Sequence, residues 1–288
     1  NYLFIGGGAV VDISNPVLPA LISNGNINGM VTSVLVEGNY GYYGTEMAVK
    51  IAIVDVSDPA NTVNKGSILF HHLNNLICGI AKKNEVVYLA AGTGGIYSVD
   101  VSDKMNPKIL DSIPVSSPNQ VRDIVIKDSI AFVAAGDGLE IVNINVPSEL
   151  KLLTTISAYY MSIEIQGNLA FLGKGNGGVD IYNISNPTKP SLAFSIPNPG
   201  GTAWDIKVKN NLLYLSTDGQ GLFIYKIQNN SAVKMAHFHD APNGQCFSVA
   251  LEGDLILLAG LVKGVAVLKY DSLGIATTIP NEKQLAAI

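Results

Sequence analysis

Short runs of alternating apolar and polar residues, separated by polar turns, follow one another along this chain. Around Phe132, predicted strands cover 121–127, 130–134, 139–144 and 151–156. Short strands rich in Val, Ile and aromatic residues, bounded by Gly, Asn, Asp and Pro, are typical of all-β proteins. Only 282–288 has a helical composition, and that segment is too short to predict a stable helix.

The same pattern recurs seven times, each time as a polar turn followed by an apolar run with a large anchor residue. The anchors are Phe4, Tyr42, Tyr88, Phe132, Phe171, Tyr214 and Leu257. Successive anchors lie 38, 46, 44, 39, 43 and 43 residues apart, and a period of about 40–45 residues is that of a four-stranded propeller blade. The sequence therefore predicts an all-β fold: a single seven-bladed β-propeller domain over 1–288, with four antiparallel strands per blade.

A second motif, Asp/Asn-x-Ser-Asx-Pro and its variants, recurs between the third and fourth predicted strands. It occupies 12–16, 55–59, 100–103, 143–147 and 183–187, and it decays at 226–229 and 269–272. Ser and Asx side chains bond to the local backbone and Pro ends a strand, so the motif predicts a turn. With Ile53–Pro59 in view, the chain resembles the LVIVD repeat family over almost its whole length. The resemblance implies a propeller, often secreted or surface-associated in prokaryotes, but no shared activity and no catalytic residues.

The first copy begins at Asn1, without room for an inner strand, whereas the last copy has a surplus tail at 281–288. We expect the C-terminal strand, about 283–288, to join the N-terminal blade and close the ring, because an unpaired sheet edge invites aggregation. The alternative is that both termini are cut ends of a longer protein. Since the chain begins inside a repeat without Met, it is expected to be a processed chain or an excised domain.

Charge excludes some partners. Charged residues make up 14% of the chain, the net charge is −5, the pI is about 5.3, and Arg122 is the only arginine. An acidic chain with one arginine is a poor match for nucleic acid. The sequence has no run of 18 or more apolar residues, so no membrane insertion is predicted. Cys78 and Cys246 form neither a disulfide framework nor a zinc pattern, and the oligomeric state cannot be judged from the sequence.

Candidate ligand-binding residues come from the repeat register. Ten positions before each anchor from Tyr42 onward lie Thr32, Cys78, Arg122, Met161, Trp204 and Phe247. The only arginine and the only tryptophan thus occupy equivalent places at the predicted tunnel mouth, followed by Asp123 and Asp205, with Tyr159 and Tyr160 leading into the blade between them. This set could bind a small polar ligand such as a carbohydrate or a peptide end. The structural alternative is that Asp123 and Asp205 bond to neighbouring blades, that Arg122 pairs with one of them, and that Trp204 packs between sheets.

Metal and catalytic sites are less well supported. A Ca²⁺ ion held by Asp123, Asp205 and tunnel carbonyls would have few oxygen ligands for that ion, so no cofactor or metal is predicted. His71 and His72, and the pair His237 and His239 with Asp240, are expected to be structural or surface residues rather than metal ligands. No Ser-His-Asp grouping or nucleophile elbow appears, and the glycine runs precede no helix that could bind phosphate.

The sequence therefore predicts a non-catalytic binding or scaffold propeller. We expect it to be extracellular, periplasmic or at the cell surface, and to recognise a small polar ligand or a protein partner on the tunnel-mouth face. The alternative is a propeller hydrolase or lyase that uses the carboxylates at the tunnel mouth.

Overall fold

The computed structural model describes residues 1–16, 18–25, 27, 29–46, 50–70, 76–114, 120–239, 246–260, 264–270 and 276–278. Across these residues the chain forms 27 β-strands and one short 3₁₀ helix, Gly6–Gly8. The strands pair in chain order into seven antiparallel sheets, which confirms the predicted seven-bladed β-propeller. The described residues contain no helix that is long and apolar enough to cross a membrane.

Each sheet is one blade, and its strands are numbered along the chain. Blade 1 has β1 (Tyr2–Phe4), β2 (Val10–Asp12) and β3 (Ala20–Ser23). Blade 2 has β4 (Val31–Glu37), β5 (Tyr40–Thr45), β6 (Lys50–Asp55) and β7 (Val63–Leu69). Blade 3 has β8 (Gly79–Lys83), β9 (Val86–Ala90), β10 (Ile96–Asp100) and β11 (Lys108–Ile113). Blade 4 has β12 (Val121–Lys127), β13 (Ile130–Ala135), β14 (Gly138–Asn143) and β15 (Lys151–Ser157).

The remaining three blades follow the same order. Blade 5 has β16 (Tyr160–Gln166), β17 (Leu169–Lys174), β18 (Val179–Asn183) and β19 (Ser191–Ile196). Blade 6 has β20 (Ala203–Lys209), β21 (Leu212–Thr217), β22 (Gly221–Gln228) and β23 (Ser231–Phe238). Blade 7 has β24 (Ser248–Glu252), β25 (Leu255–Gly260), β26 (Gly264–Tyr270) and β27 (Ala276–Thr278).

The chain divides into two compact units, described separately below. Unit 1 comprises 1–15 and 19–158, which hold blades 1–4, and unit 2 comprises 16–18 and 159–288, which hold blades 5–7. In unit 1 the first strands of blades 2, 3 and 4 pack side by side, and in unit 2 those of blades 5, 6 and 7 do the same. That 1–288 acts as one domain stays a prediction.

Four anchors of the sequence repeat lie in core clusters between consecutive sheets. Tyr42 packs into a cluster shared by blades 2 and 3, and Tyr88 into one shared by blades 3 and 4. In unit 2, Phe171 packs between blades 5 and 6, and Tyr214 between blades 6 and 7. A blade that lies between two others has both faces covered, so its strands contain continuous apolar runs. Since every blade needs such buried positions, the sequence pattern recurs once per blade, every 38–46 residues.

The second motif forms the predicted turn after the third strand. The Oδ1 atom of Asp55 accepts hydrogen bonds from the Ser57 amide (3.0 Å) and from its hydroxyl (2.6 Å). Asp100, Asn143 and Asn183 accept the equivalent amide bond at 2.8–2.9 Å. Where the acceptor is a carboxylate, these hydrogen bonds favour its charged form, and they hold the pKa of Asp55 and Asp100 below the usual range.

Blade 1 has three strands in the described part of the chain. The segment expected to complete it, 283–288, lies outside the described residues, so closure of the ring by this strand stays a prediction.

Candidate functional site

A β-bulge at the start of the first strand positions the candidate residues. In blades 2, 4, 5 and 6 the register between the first two strands skips one residue, which we call the bulge residue. The four bulge residues are Thr32, Arg122, Met161 and Trp204. A bulge leaves its extra residue unpaired and redirects the side chain, which is why bulges occur next to binding sites. Cys78 and Phe247 hold the equivalent places in blades 3 and 7, directly before β8 and β24, where their amides donate to Ala90 and Ala259.

In unit 1 the bulge residue Arg122 lies close to Cys78. Burial raises the pKa of the Cys78 thiol to about 11, although the charge of the neighbouring Arg122 guanidinium acts in the opposite direction. Arg122 itself is half-buried, and its Nε atom is buried without a hydrogen-bond partner among the described residues. The guanidinium therefore retains an N–H donor that the described protein does not satisfy.

Asp123 follows Arg122 and belongs to the wall between two blades. Its Oδ1 atom accepts a hydrogen bond from the Ile124 amide at 2.8 Å. Gly79 of blade 3 lies so near that a Cβ added there would stand 2.9 Å from the Cα of Asp123. The backbones of β8 and β12 thus approach closely at this end, and only glycine fits in blade 3.

In unit 2 the bulge residue Trp204 forms an aromatic pair. Its ring is half-buried and lies edge-on to Phe247, with centroids 5.3 Å apart and planes at 61°. The indole Nε1 is buried and has no hydrogen-bond partner among the described residues. An indole N–H can only donate, so this group needs an acceptor that the described protein does not supply.

Asp205 joins blade 6 to blade 7. Its Oδ2 accepts hydrogen bonds from the Ser248 hydroxyl (2.8 Å) and the Val249 amide (3.0 Å), while its Oδ1 accepts one from the Ile206 amide (2.8 Å). Lys207 Nζ lies 3.7 Å from Oδ1. Its oxygens are thus engaged by the protein, as the structural alternative expected of it.

Ser162, which follows the bulge residue of blade 5, behaves differently from its counterpart in blade 2. The hydroxyl of Ser33 donates to the Ile77 carbonyl of blade 3 at 2.6 Å. The hydroxyl of Ser162 is buried without a partner in the described part of the chain. It stands beside the start of β20, since a Cβ on Gly173 would contact both the Ser162 hydroxyl and the Ala203 carbonyl. Ser162 Oγ is therefore a second buried polar atom of unit 2 without a described partner, and it lies beside Ala203, the residue before Trp204.

The two tyrosines differ in exposure. Tyr159 is 47% exposed and lies over Gly175, where an added Cβ would collide with its ring. Tyr160 is fully buried, and its hydroxyl donates to Asp180 Oδ2 at 3.0 Å. Burial, followed by the bond to Tyr182, raises the pKa of Tyr160 far above its usual range. Tyr160 thus helps to hold blade 5 together, and only Tyr159 presents its ring to solvent.

The described residues contain no group of three or more His, Cys, Asp or Glu side chains that could hold a metal ion. His237 Nε2 lies 2.6 Å from the Gln220 carbonyl and His239 Nε2 lies 3.3 Å from that of Gly219, so both rings donate to one turn. Asp240 and the pair at 71–72 lie outside the described residues.

The sequence analysis missed Ser162 as a candidate, and it assigned no role to Phe247. Both occupy the repeat positions of residues that were selected, so the register alone could have found them. The bulge itself leaves no mark in the sequence, because the skipped position holds Thr, Arg, Met or Trp.

These features define the class of protein: a seven-bladed β-propeller built from one sequence repeat. The profile of the LVIVD repeat matches 1–26, 28–69, 118–157, 158–197 and 200–238, and the chain belongs to the LVIVD repeat family. The matches include blade 6, where the turn motif has decayed, and omit blade 3, where most of the motif is kept.

Solved structures of low sequence identity share the fold. A protein from Bacteroides uniformis ATCC 8492, named as a putative 6-phosphogluconolactonase, matches with a TM-score of 0.80 at 12% identity, over 94% of this chain and 91% of that one. A protein of the same name from Bacteroides fragilis NCTC 9343 gives 0.79 at 12% identity, over 96% and 90%. The computationally designed protein Ika8 gives 0.70 at 14% identity, over 99% and 84%. No curated protein matches the sequence. Likeness at this identity shows the fold alone.

Proposed function

We propose that this protein is a non-catalytic binding propeller in which Trp204 and Ser162 of unit 2 contact a small polar ligand on the tunnel-mouth face, with Arg122 of unit 1 as a separate candidate contact. One observation carries the proposal. Among the described residues, the buried side-chain polar atoms without a hydrogen-bond partner are Arg122 Nε, Ser162 Oγ and Trp204 Nε1. All three belong to a bulge residue or to the residue after it. Buried polar groups are almost always satisfied, and an unsatisfied one costs about 1–3 kcal/mol.

The chemistry of these atoms defines the ligand. Arginine and indole N–H groups only donate, and a serine hydroxyl donates readily. The ligand should therefore present hydrogen-bond acceptors, as a carbohydrate or the carboxylate end of a peptide does. A bare cation such as Ca²⁺ cannot accept hydrogen bonds from these donors. In unit 2 the Trp204 and Phe247 rings add an apolar surface to this contact. The Arg122 guanidinium of unit 1 offers a positively charged donor at its own separate position.

Binding is favoured over the hydrolase or lyase alternative by the state of Asp205. A general base must reach the proton it removes, but the oxygens of this carboxylate accept three hydrogen bonds from the protein itself. The names of the Bacteroides proteins do not favour the enzyme alternative, because a structural likeness at 12% sequence identity supports only a shared fold. A position outside the cytoplasm is part of the proposal and rests on the family resemblance. Recognition of a protein partner is the alternative form of binding.

Trp204 fluorescence tests the proposal, because this is the only tryptophan in the chain. The purified protein is titrated with oligosaccharides, short peptides and divalent cations while the emission wavelength and intensity are followed. We expect a saturable shift with an acceptor-rich compound and none with the cations. Free N-acetyltryptophanamide, titrated in parallel, corrects for absorption by the compounds.

Two variants locate the contact by calorimetry. Ser162→Ala should weaken the binding of the selected compound about fivefold to tenfold, the value of one hydrogen bond, and Trp204→Phe should do the same through loss of its N–H. Arg122→Gln tests unit 1 independently. Blue emission that no compound alters would overturn the proposal for Trp204 and would mean that this ring is part of the core.

A further inference from the structure

A groove on the outer side of unit 2 lies away from the bulge residues. It runs between β19 of blade 5 and the strands β22 and β23 of blade 6, and its volume is about 470 Å³. Pockets that bind small molecules commonly measure about 300–1,000 Å³. None of the bulge residues lines this groove, so whatever it binds is recognised independently of the function proposed above.

The walls of the groove are aromatic. Phe223 and Tyr225 stack along β22 with ring centroids 6.3 Å apart and planes within 28°, and both side chains are buried. Phe194 and Pro197 line the groove from blade 5. The Phe223 ring is stacked on that of His237, with centroids 4.0 Å apart. The apolar surface open to a ligand is therefore that of the half-buried Phe194 and the exposed Pro197. Such a surface favours a ligand with a flat apolar body, through offset or edge-on ring contacts.

The charge of the groove has one sign. Lys234 is exposed, and its Nζ lies 5.8 Å from the centroid of the Phe223 ring. No Asp or Glu is among the lining residues. The hydroxyl of the lining residue Ser195 donates to the Asp180 carboxylate, and that carboxylate is already paired with Lys174 at 3.1 Å.

The neutral polar groups of the groove are mostly engaged. The Asn198 amide accepts from the Gly200 amide (2.7 Å) and donates to the Asn176 carbonyl (2.7 Å), and Ser231 donates to the Gln228 carbonyl (2.7 Å). The Lys234 ammonium is therefore the strongest donor that the lining residues present to a ligand. A cation beside stacked rings is complementary to an anion carried on a flat apolar body.

We propose that this groove binds a small aromatic carboxylate, with the ring against Phe194 and Pro197 and the carboxylate on Lys234. The complementarity is both apolar and electrostatic, so each half can be removed separately. Phenylacetate is the probe, and its neutral analogue phenylacetamide has nearly the same shape without the charge.

Calorimetry on the whole chain tests the proposal. Phenylacetate should bind at least fivefold more tightly than phenylacetamide, and Lys234→Gln should remove this preference. Lys226→Gln is the matched control, because Lys226 is an exposed lysine of β22 that does not line the groove, and it should bind phenylacetate within twofold of the unaltered protein. Ser162→Ala should also bind it unchanged, which separates this site from the bulge residues. Equal binding of acid and amide, an unchanged affinity in Lys234→Gln, or no binding of phenylacetate would each overturn the proposal.

Discussion

Asp205 and Ser33 occupy equivalent positions and bond in opposite senses. Ser33 donates its hydroxyl to the next blade, whereas Asp205 accepts a hydroxyl and an amide from the next blade. At this position of blades 2 and 6, a polar side chain thus reaches across the gap between sheets, as a donor in one blade and as an acceptor in the other. A carboxylate that receives bonds from two segments of chain contributes to stability rather than to chemistry.

Removal of the Asp205 carboxylate should destabilise the protein. We expect Asp205→Ala to lower the free energy of unfolding by about 2–3 kcal/mol, because two donors of blade 7 lose a charged acceptor. Urea denaturation followed by circular dichroism measures the change. Glu252→Ala, which alters an exposed carboxylate of β24, should stay within about 0.5 kcal/mol. Equal losses in the two variants would contradict the assigned role.

Glu140 of β14 predicts a pH dependence. It is 5% exposed, and burial, followed by the charge of Asp137, raises its pKa. The folded state therefore holds its proton more tightly than the unfolded state, so this residue lowers stability as pH rises from the unfolded pKa through the folded pKa.

Glu140→Gln should consequently be more stable than the unaltered protein at pH 7, because the amide carries no charge that burial disfavours. The difference should vanish below about pH 4, where the carboxyl is protonated in both states. Thermal unfolding at several pH values measures it. A difference that persists unchanged at pH 3.5 would show that packing, not ionisation, is responsible.

At the scale of elements, the repeat register predicted strands better than it predicted contacts. For blade 4 the predicted strands at 121–127 and 139–144 compare with the observed Val121–Lys127 and Gly138–Asn143. Strand positions follow from local patterns of apolar residues and turns. Which groups of one blade meet those of the next depends on sheet spacing and on bulges, neither of which has a signature in the sequence. The bonds of Asp205 and the missing bond of Ser162 thus required the structure.

The turn after the third strand allows a test within the repeat itself. Asn143 and Asn183 make the same Asx bond as Asp100, so Asp100→Asn should leave stability at pH 7 nearly unchanged. Asp100→Ala should cost about 0.5–1 kcal/mol through loss of the bond to the Ser102 amide.

Stability at acid pH distinguishes the Asp100 carboxylate from the amide of Asp100→Asn. The pKa of Asp100 is lowered in the folded protein, so its contribution is present above the unfolded pKa and is lost as pH falls through the folded pKa. The amide of Asp100→Asn does not titrate. Unfolding curves below pH 4 should therefore show a weaker acid destabilisation in this variant than in the unaltered protein, and identical acid curves would contradict the role of the carboxylate.

On the scale of the whole molecule, charge has a small part in holding the fold. Charged residues make up 14% of the chain, and each described ion pair has at least one partly exposed partner, as in Lys82 with Glu37 at 2.8 Å. Exposed pairs of this kind contribute about 0–1 kcal/mol each and are screened by salt. Buried apolar surface between sheets carries the stability instead, as the recurrent anchors predicted.

Stability should accordingly depend little on ionic strength. Between 0.05 and 0.5 M NaCl we expect the melting temperature to change by less than about 3 °C, because NaCl screens ion pairs without weakening apolar burial. Calorimetry in a buffer of low ionisation heat checks this. A fall of more than about 8 °C would mean that ion pairs contribute far more than the described distances indicate.

The bulge at the start of the first strand also has a consequence for protein engineering. Since the skipped residue is outside the ladder, the fold tolerates Thr, Arg, Met or Trp there, at 32, 122, 161 and 204. A library randomised at the half-buried positions 32, 122 and 204, with the buried Met161 kept, should yield mostly folded proteins that differ in the size and charge of these side chains.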